Sequence, residues 1–204
     1  MNFSLLSQRG GRPSKALFVT IEGIDQSGKS TQARLIEKRL RREGMKVGSI
    51  SFPVYGSPSG RLIKGYLTGK RRVSFRAMCM LYSLNRWEQR DALRDLLNEN
   101  DIVISCRYVP SGLAYGAAGG LSPKWLANLD DGLPTPDAVL VIDVPVQTST
   151  IRKTVKRDVH ERNIKYLRNV RRCYLQLAKR KGWQIVSGTG SVQEVSRRIL
   201  KRVR

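Results

Sequence analysis

The chain has 204 residues, 40% of them hydrophobic, which suffices for one domain with a real core, and no apolar run approaches the roughly 18 residues of a membrane span. Its 38 Lys/Arg against 16 Asp/Glu give a net charge of +22, and 17 basic against 3 acidic residues between Arg152 and Arg204 put +14 of it in the last quarter; such a balance favours phosphates as partners, on nucleotides or on nucleic acid. Cys79, Cys106 and Cys173 are odd in number and far apart, which argues against a disulfide framework or a zinc site and suits a reducing compartment such as the cytoplasm.

Residues 1–15 read as a loose basic arm, and residues 16–204, free of repeats and long linkers, as a single domain. Leu17–Ile21 is a short β-branched run, the pattern of a buried strand. From Ser30 to about Arg42, Ala33, Leu35, Ile36 and Leu40 have helical spacing. Val47–Phe52 is a second strand, stopped by Pro53, and Ser74 to about Asn98 a long helix with Phe75, Met78, Cys79, Leu81, Leu93, Leu96 and Leu97 as its apolar positions. Ile102–Ile104 and Ala138–Val144 are further strands. One or two helices follow from Gln147 to about Lys181, then a fifth strand at Trp183–Val186 and a last helix at Ser191–Val203. Apolar strands alternating with helices predict a three-layer α/β/α fold around a five-stranded parallel sheet. Ligands of such sheets bind beyond the carboxyl ends of the strands, so the residues just after each strand are the functional candidates.

Directly after the first strand, Gly23 to Ser30 fits G-x-x-x-x-G-K-[ST], with a helix following as the motif requires. The loop residues Gly23, Asp25, Gln26, Ser27 and Gly28 would turn backbone N–H groups toward the phosphates of ATP. Lys29 would reach the β- and γ-phosphates and the Ser30 hydroxyl would ligate Mg²⁺, with Thr31 in the first turn. Within LYSLNRWEQR, Tyr82, Arg86 and Arg90 recur every four residues, an arrangement that lets a ring stack on a base and a guanidinium bind oxygens. Trp87 is assigned to the core. Arg107 sits just past the third strand, where a cation is costly unless an anion meets it. After the fourth strand, Arg152/Lys156 and Lys153/Arg157 are like-charged i,i+4 pairs that a triphosphate would compensate; the segment 147–162 is therefore read as a lid. The lone His160 receives no role, and Arg41, Arg42, Arg197 and Arg198 are read as solvated surface.

These motifs, in this order, resemble the thymidylate kinase family of P-loop kinases. EGIDQSGKSTQ (Glu22–Gln32) is similar to its phosphate loop, Phe52-Pro53 followed by GRLIKGYL (Gly60–Leu67) to its second motif, and SLNRWEQ (Ser83–Gln89) to its characteristic helix. Arg107 to Tyr115, GLPTPDAVLVIDV (Gly132–Val144) and the stretch Asp158–Ala178 complete the likeness. The resemblance implies transfer of a phosphoryl group from ATP to dTMP with Mg²⁺; the cysteines already suit the cytoplasm, and an exposed apolar face of the helix over 74–98 would be a natural surface for a homodimer. It further implies that Asp25 contacts the sugar, Tyr82 stacks on the base, and Arg86 approaches base and phosphate. Arg107 would grip the acceptor phosphate, while Phe52, Ser111 and Tyr115 would wall the acceptor pocket. Lys29, Arg107, Arg152 and Arg157 would be catalytic, Lys153 and Lys156 would join the ATP site, and Gly188–Gly190 would border the adenine. Three residues depart from the pattern: Gln26 replaces a loop arginine, Tyr55 replaces the arginine after Phe-Pro, and Cys106 stands where the aspartate of an Asp-Arg pair belongs. A thiol is a poor Mg²⁺ ligand. Other acceptors such as dUMP, and a non-catalytic nucleotide- or nucleic-acid-binding role on a kinase scaffold, stay open at this stage.

Overall fold

The computed structural model of the chain describes residues 16–151 and 163–203. Its five strands are β1 (Leu17–Glu22), β2 (Val47–Ser51), β3 (Ile102–Cys106), β4 (Ala138–Asp143) and β5 (Gln184–Ser187), all parallel in the order β2-β3-β1-β4-β5. β1 lies at the centre and is buried along its whole length, which is why it reads as a largely apolar run. Its side chains alternate all the same. Phe18 packs with Leu93, Leu97, Phe52 and Tyr108, whereas Leu17, Val19 and Ile21 join the larger core with Ile36 and Leu40.

Nine helices appear among the described residues: α1 (Lys29–Arg42), α2 (Pro58–Leu67), α3 (Phe75–Glu88), α4 (Arg90–Glu99), α5 (Val109–Ala118), α6 (Pro123–Asn128), α7 (Val146–Ile151), α8 (Ile164–Lys181) and α9 (Val192–Val203). α1 packs on α9, α5 on α8, and α2 on α3, so helices cover both faces of the sheet. Because parallel strands all point one way, Glu22, Ser51, Cys106, Asp143 and Ser187 end at one edge. That edge carries the site.

The long helix expected over 74–98 is two helices. Gln89 caps both, its N–H bonding back to Arg86 O at 3.2 Å in a tight turn. No glycine or proline marks the break, and both halves bury apolar residues, so the sequence pattern runs through it. β3 also extends two residues further than expected, to Cys106, since Ser105 and Cys106 still pair with Thr20 and Ile21. Trp87, assigned to the core, is 36% exposed and donates its Nε1–H to Leu129 O at 2.8 Å. The short helices α2 and α6 begin at Ser57-Pro58 and Ser122-Pro123, each with the serine as cap and the proline in the first turn.

Candidate active site

The phosphate loop connects β1 to α1 through backbone conformations that few residues tolerate. Gly23 has φ +137°, and a Cβ there would lie 2.5 Å from Ile142 O, so only glycine fits. Gly28, at φ +95°, caps α1, and the loop N–H groups and helix N-terminus thus converge on one concavity. Lys29 is buried beneath it, its Nζ donating to Ile24 O at 2.6 Å and lying 3.5 Å from Ser27 Oγ. Burial, and then the charge of Arg107, pull its pKa down to about 8. An arriving phosphate would restore the full charge. Ser30 Oγ lies 3.5 Å from Cys106 Sγ, so the end of β3 meets the loop at the position where a metal-bearing nucleotide would sit.

Beside the loop opens a cleft of about 100 Å³. Asp25, Phe52, Tyr82, Arg86, Arg107, Ser111 and Tyr115, the seven acceptor-site candidates, all line it, although they come from separate segments of the chain. Phe75, Met78, Cys79 and Leu126 supply an apolar wall; burial pushes the Cys79 thiol up to about 11, so it presents a neutral surface. At the inner end Arg107, with the left-handed φ of +65°, forms an ion pair with Asp25. Its Nη1 reaches Ser111 Oγ at 3.2 Å and Gly23 O at 3.5 Å, and its Nη2 reaches Tyr115 Oη at 3.3 Å. Tyr115 in turn donates to Asp25 at 2.8 Å. The guanidinium therefore bridges acceptor cleft and phosphate loop.

The NRWE segment acts mainly by fastening neighbouring elements. Asn85 accepts from Val54 N–H at 2.8 Å and donates to Ser57 and Ser59 Oγ, both at 2.9 Å; Glu88 accepts from Ser59 N–H at 3.1 Å and from its hydroxyl at 2.7 Å. Arg86 holds Asp130 through two bonds of 3.0 and 2.6 Å, with both side chains almost fully buried. Arg86 thus lines the cleft with its charge balanced by Asp130, as that of Arg107 is by Asp25. Arg90, grouped with Tyr82 and Arg86 by spacing, points elsewhere and lies 5.8 Å over the Trp87 ring.

On the opposite side, Arg198 does more than meet solvent. Its Nη1 donates to Ser187 O at 3.1 Å and Thr189 O at 2.5 Å, fixing the loop that holds Gly188–Gly190. Arg171, which spacing did not single out, clasps Asp143 at the end of β4 at 2.6 and 2.8 Å. The lid candidates Arg152, Lys153, Lys156 and Arg157 lie outside the described residues.

A phosphate loop adjoining an aromatic cleft that ends in an arginine is the layout of a nucleotide kinase, and comparison with known proteins decides which kind. The thymidylate kinase family model matches residues 21–199. The chain belongs to the thymidylate kinase family. Similar relatives include the Homo sapiens thymidylate kinase, 30% identical over 89% of this chain and 86% of that one. The probable thymidylate kinase of Pyrococcus abyssi is 34% identical over 93% and 97%. The solved thymidylate kinase of Candida albicans superposes with a TM-score of 0.80 at 30% identity, covering 91% of this chain and 89% of its own. Family membership accounts for the sheet order and the cleft.

Proposed function

We propose that the chain catalyses transfer of the γ-phosphoryl group of ATP to dTMP, giving dTDP and ADP. The observation that carries this reading is the position of Arg107, which faces the acceptor cleft while touching Asp25 and Gly23 of the phosphate loop. An acceptor phosphate held there lies next to the γ-phosphate held by Lys29. Transfer between two anions needs charge neutralisation and alignment more than acid or base chemistry. Lys29, Arg107 and the loop amides supply these, and Arg152, Lys153, Lys156 and Arg157 of the segment 147–162 would close over the reacting groups to exclude water. With Gln26 in the loop, the cation that meets transition-state charge must come from that segment.

Mg²⁺ suits this site as a cation carried chiefly by ATP, where it would neutralise charge on the β- and γ-phosphates. Ser30 Oγ offers one hard oxygen, and no group of three His, Cys, Asp or Glu able to hold a metal occurs among the described residues. Cys106 adds only a soft thiol, so ATP oxygens and water would fill most of the coordination. No helix among the described residues is long and apolar enough to cross a membrane, and the three free thiols fit the cytoplasm. Exposed Met80 and Leu84, one turn apart on α3, with Leu62 exposed on neighbouring α2, support pairing with a second copy of the chain.

A second reading keeps another monophosphate such as dUMP as the acceptor, because Arg107 would meet the phosphate that all monophosphates share. ADP release measured across a panel of nucleosides and monophosphates separates the readings. The proposal expects dTMP to give the highest kcat/KM and thymidine almost none; a better substrate among the other monophosphates would shift the assignment to it.

A further inference from the structure

Glu22 ends β1 with no solvent exposure and does not itself line the acceptor cleft. Its carboxylate nevertheless collects four hydrogen bonds. Oε1 accepts from the Tyr108 backbone N–H at 2.7 Å and from Thr20 Oγ1 at 3.2 Å; Oε2 accepts from Ser111 Oγ at 2.6 Å and Tyr174 Oη at 2.9 Å. Three of these donors belong to other elements, the start of α5 and the middle of α8. Burial raises the pKa of this carboxyl, while the Ser111 bond and the charge of Arg107 oppose the rise. A buried carboxylate is costly wherever it occurs, and an apolar residue at the end of a central strand would avoid that cost.

What the four bonds accomplish is visible one residue away. Arg107 is one of two non-glycine residues among those described with positive φ, a conformation that persists only when its surroundings over-determine it. Here it is bracketed by two bonds to consecutive residues of β1: its own N–H to Ile21 O at 3.0 Å, and the next N–H, that of Tyr108, to Glu22. Tyr108 caps α5 without a side-chain cap of its own, so Glu22 provides the acceptor from the neighbouring strand, next to the positive end of that helix. The side chain is held through the same carboxylate. Ser111 gives its proton to Glu22 and, with its oxygen so oriented, accepts from Arg107 Nη1.

We propose that Glu22 is a positioning residue for the acceptor phosphate: it sets both the backbone turn and the side-chain direction of Arg107, with Tyr174 of α8 holding the carboxylate in place. This inference rests on Arg107 being the acceptor-phosphate ligand. Glutamine at position 22 preserves the volume but can accept at one end only. Its Nε2–H₂ would face two hydroxyl donors, forcing Ser111 to turn and weakening its bond to Arg107.

Steady-state kinetics of Glu22→Gln and of Tyr174→Phe, with KM measured separately for dTMP and ATP, test the idea. Glu22→Gln should raise the dTMP KM about tenfold or more with the ATP KM within twofold, and Tyr174→Phe should raise it less, in the same direction. A folded Glu22→Gln protein with an unchanged dTMP KM, or with both KM values raised equally, overturns the proposal. Should Glu22→Gln fail to fold, Tyr174→Phe decides by the same split. Wild-type turnover of dTMP in the same assay tests the functional reading separately.

Discussion

The two halves of the site are built by different means. The phosphate loop works through backbone: nine consecutive residues, Gly23 to Thr31, shape it, and its conformation depends on Gly23, where a side chain would collide, and on Gly28 with its positive φ. The acceptor cleft works through side chains brought from separate elements, and each is held by a partner distant in sequence: Arg107 by Asp25, Arg86 by Asp130, Asn85 by Val54. A backbone cradle can be written in one short motif. A side-chain cleft must be assembled by the whole fold, so its weak points lie where the supporting partners are.

The contrast can be broken at three strengths. Lys29→Ala removes the one buried cation of the cradle and should lower kcat by at least about 10²–10³-fold without unfolding the protein, measured by ADP release and thermal melting. Preserved turnover would show that the loop does not hold the transferring phosphate. It also separates an enzyme from a nucleic-acid binder, whose salt-sensitive oligonucleotide affinity the change would leave intact. Asp130→Ala acts on the cleft's support. It leaves Arg86 buried without its counter-charge and should cost about 3–5 kcal/mol of stability, a fall in Tm on the order of 10 °C, read by calorimetry. An unchanged Tm would mean that Arg86 finds solvent or another partner. Cys106→Asp has the smallest expected effect. A hard oxygen in place of a thiol that lies 3.5 Å from Ser30 Oγ should tighten Mg²⁺ dependence and raise turnover by a few-fold; identical Mg²⁺ titrations would remove position 106 from the metal's surroundings.

The same contrast explains how much could be read before the fold was known. The parallel sheet, its five strands and the phosphate loop follow from contiguous patterns, and the loop is recognisable because backbone geometry constrains adjacent residues. The break at Gln89 left no mark, since neither half changes its apolar period there. The pairing of Arg86 has no signal in the sequence, because its partner Asp130 lies 44 residues away and an arginine's partner across the fold cannot be inferred from its own neighbours. Glu22 had a signal: an acid ending an otherwise apolar central strand must be satisfied by something. The sequence did not say that Tyr108, Ser111 and Tyr174 would do it. Arg198 illustrates the converse, a surface arginine whose carbonyl partners belong to a loop that composition treats as featureless.

The central claim is that Arg107 recognises a phosphate already present on the acceptor. Its most direct test compares dTMP with thymidine as acceptors in the wild-type protein and in Arg107→Ala. The account predicts that the wild type strongly prefers dTMP, and that the substitution raises the dTMP KM by roughly 10²-fold, leaves the ATP KM nearly unchanged and erases most of that preference. Wild-type turnover of thymidine as efficient as that of dTMP, or an Arg107→Ala protein that saturates normally with dTMP, would contradict it.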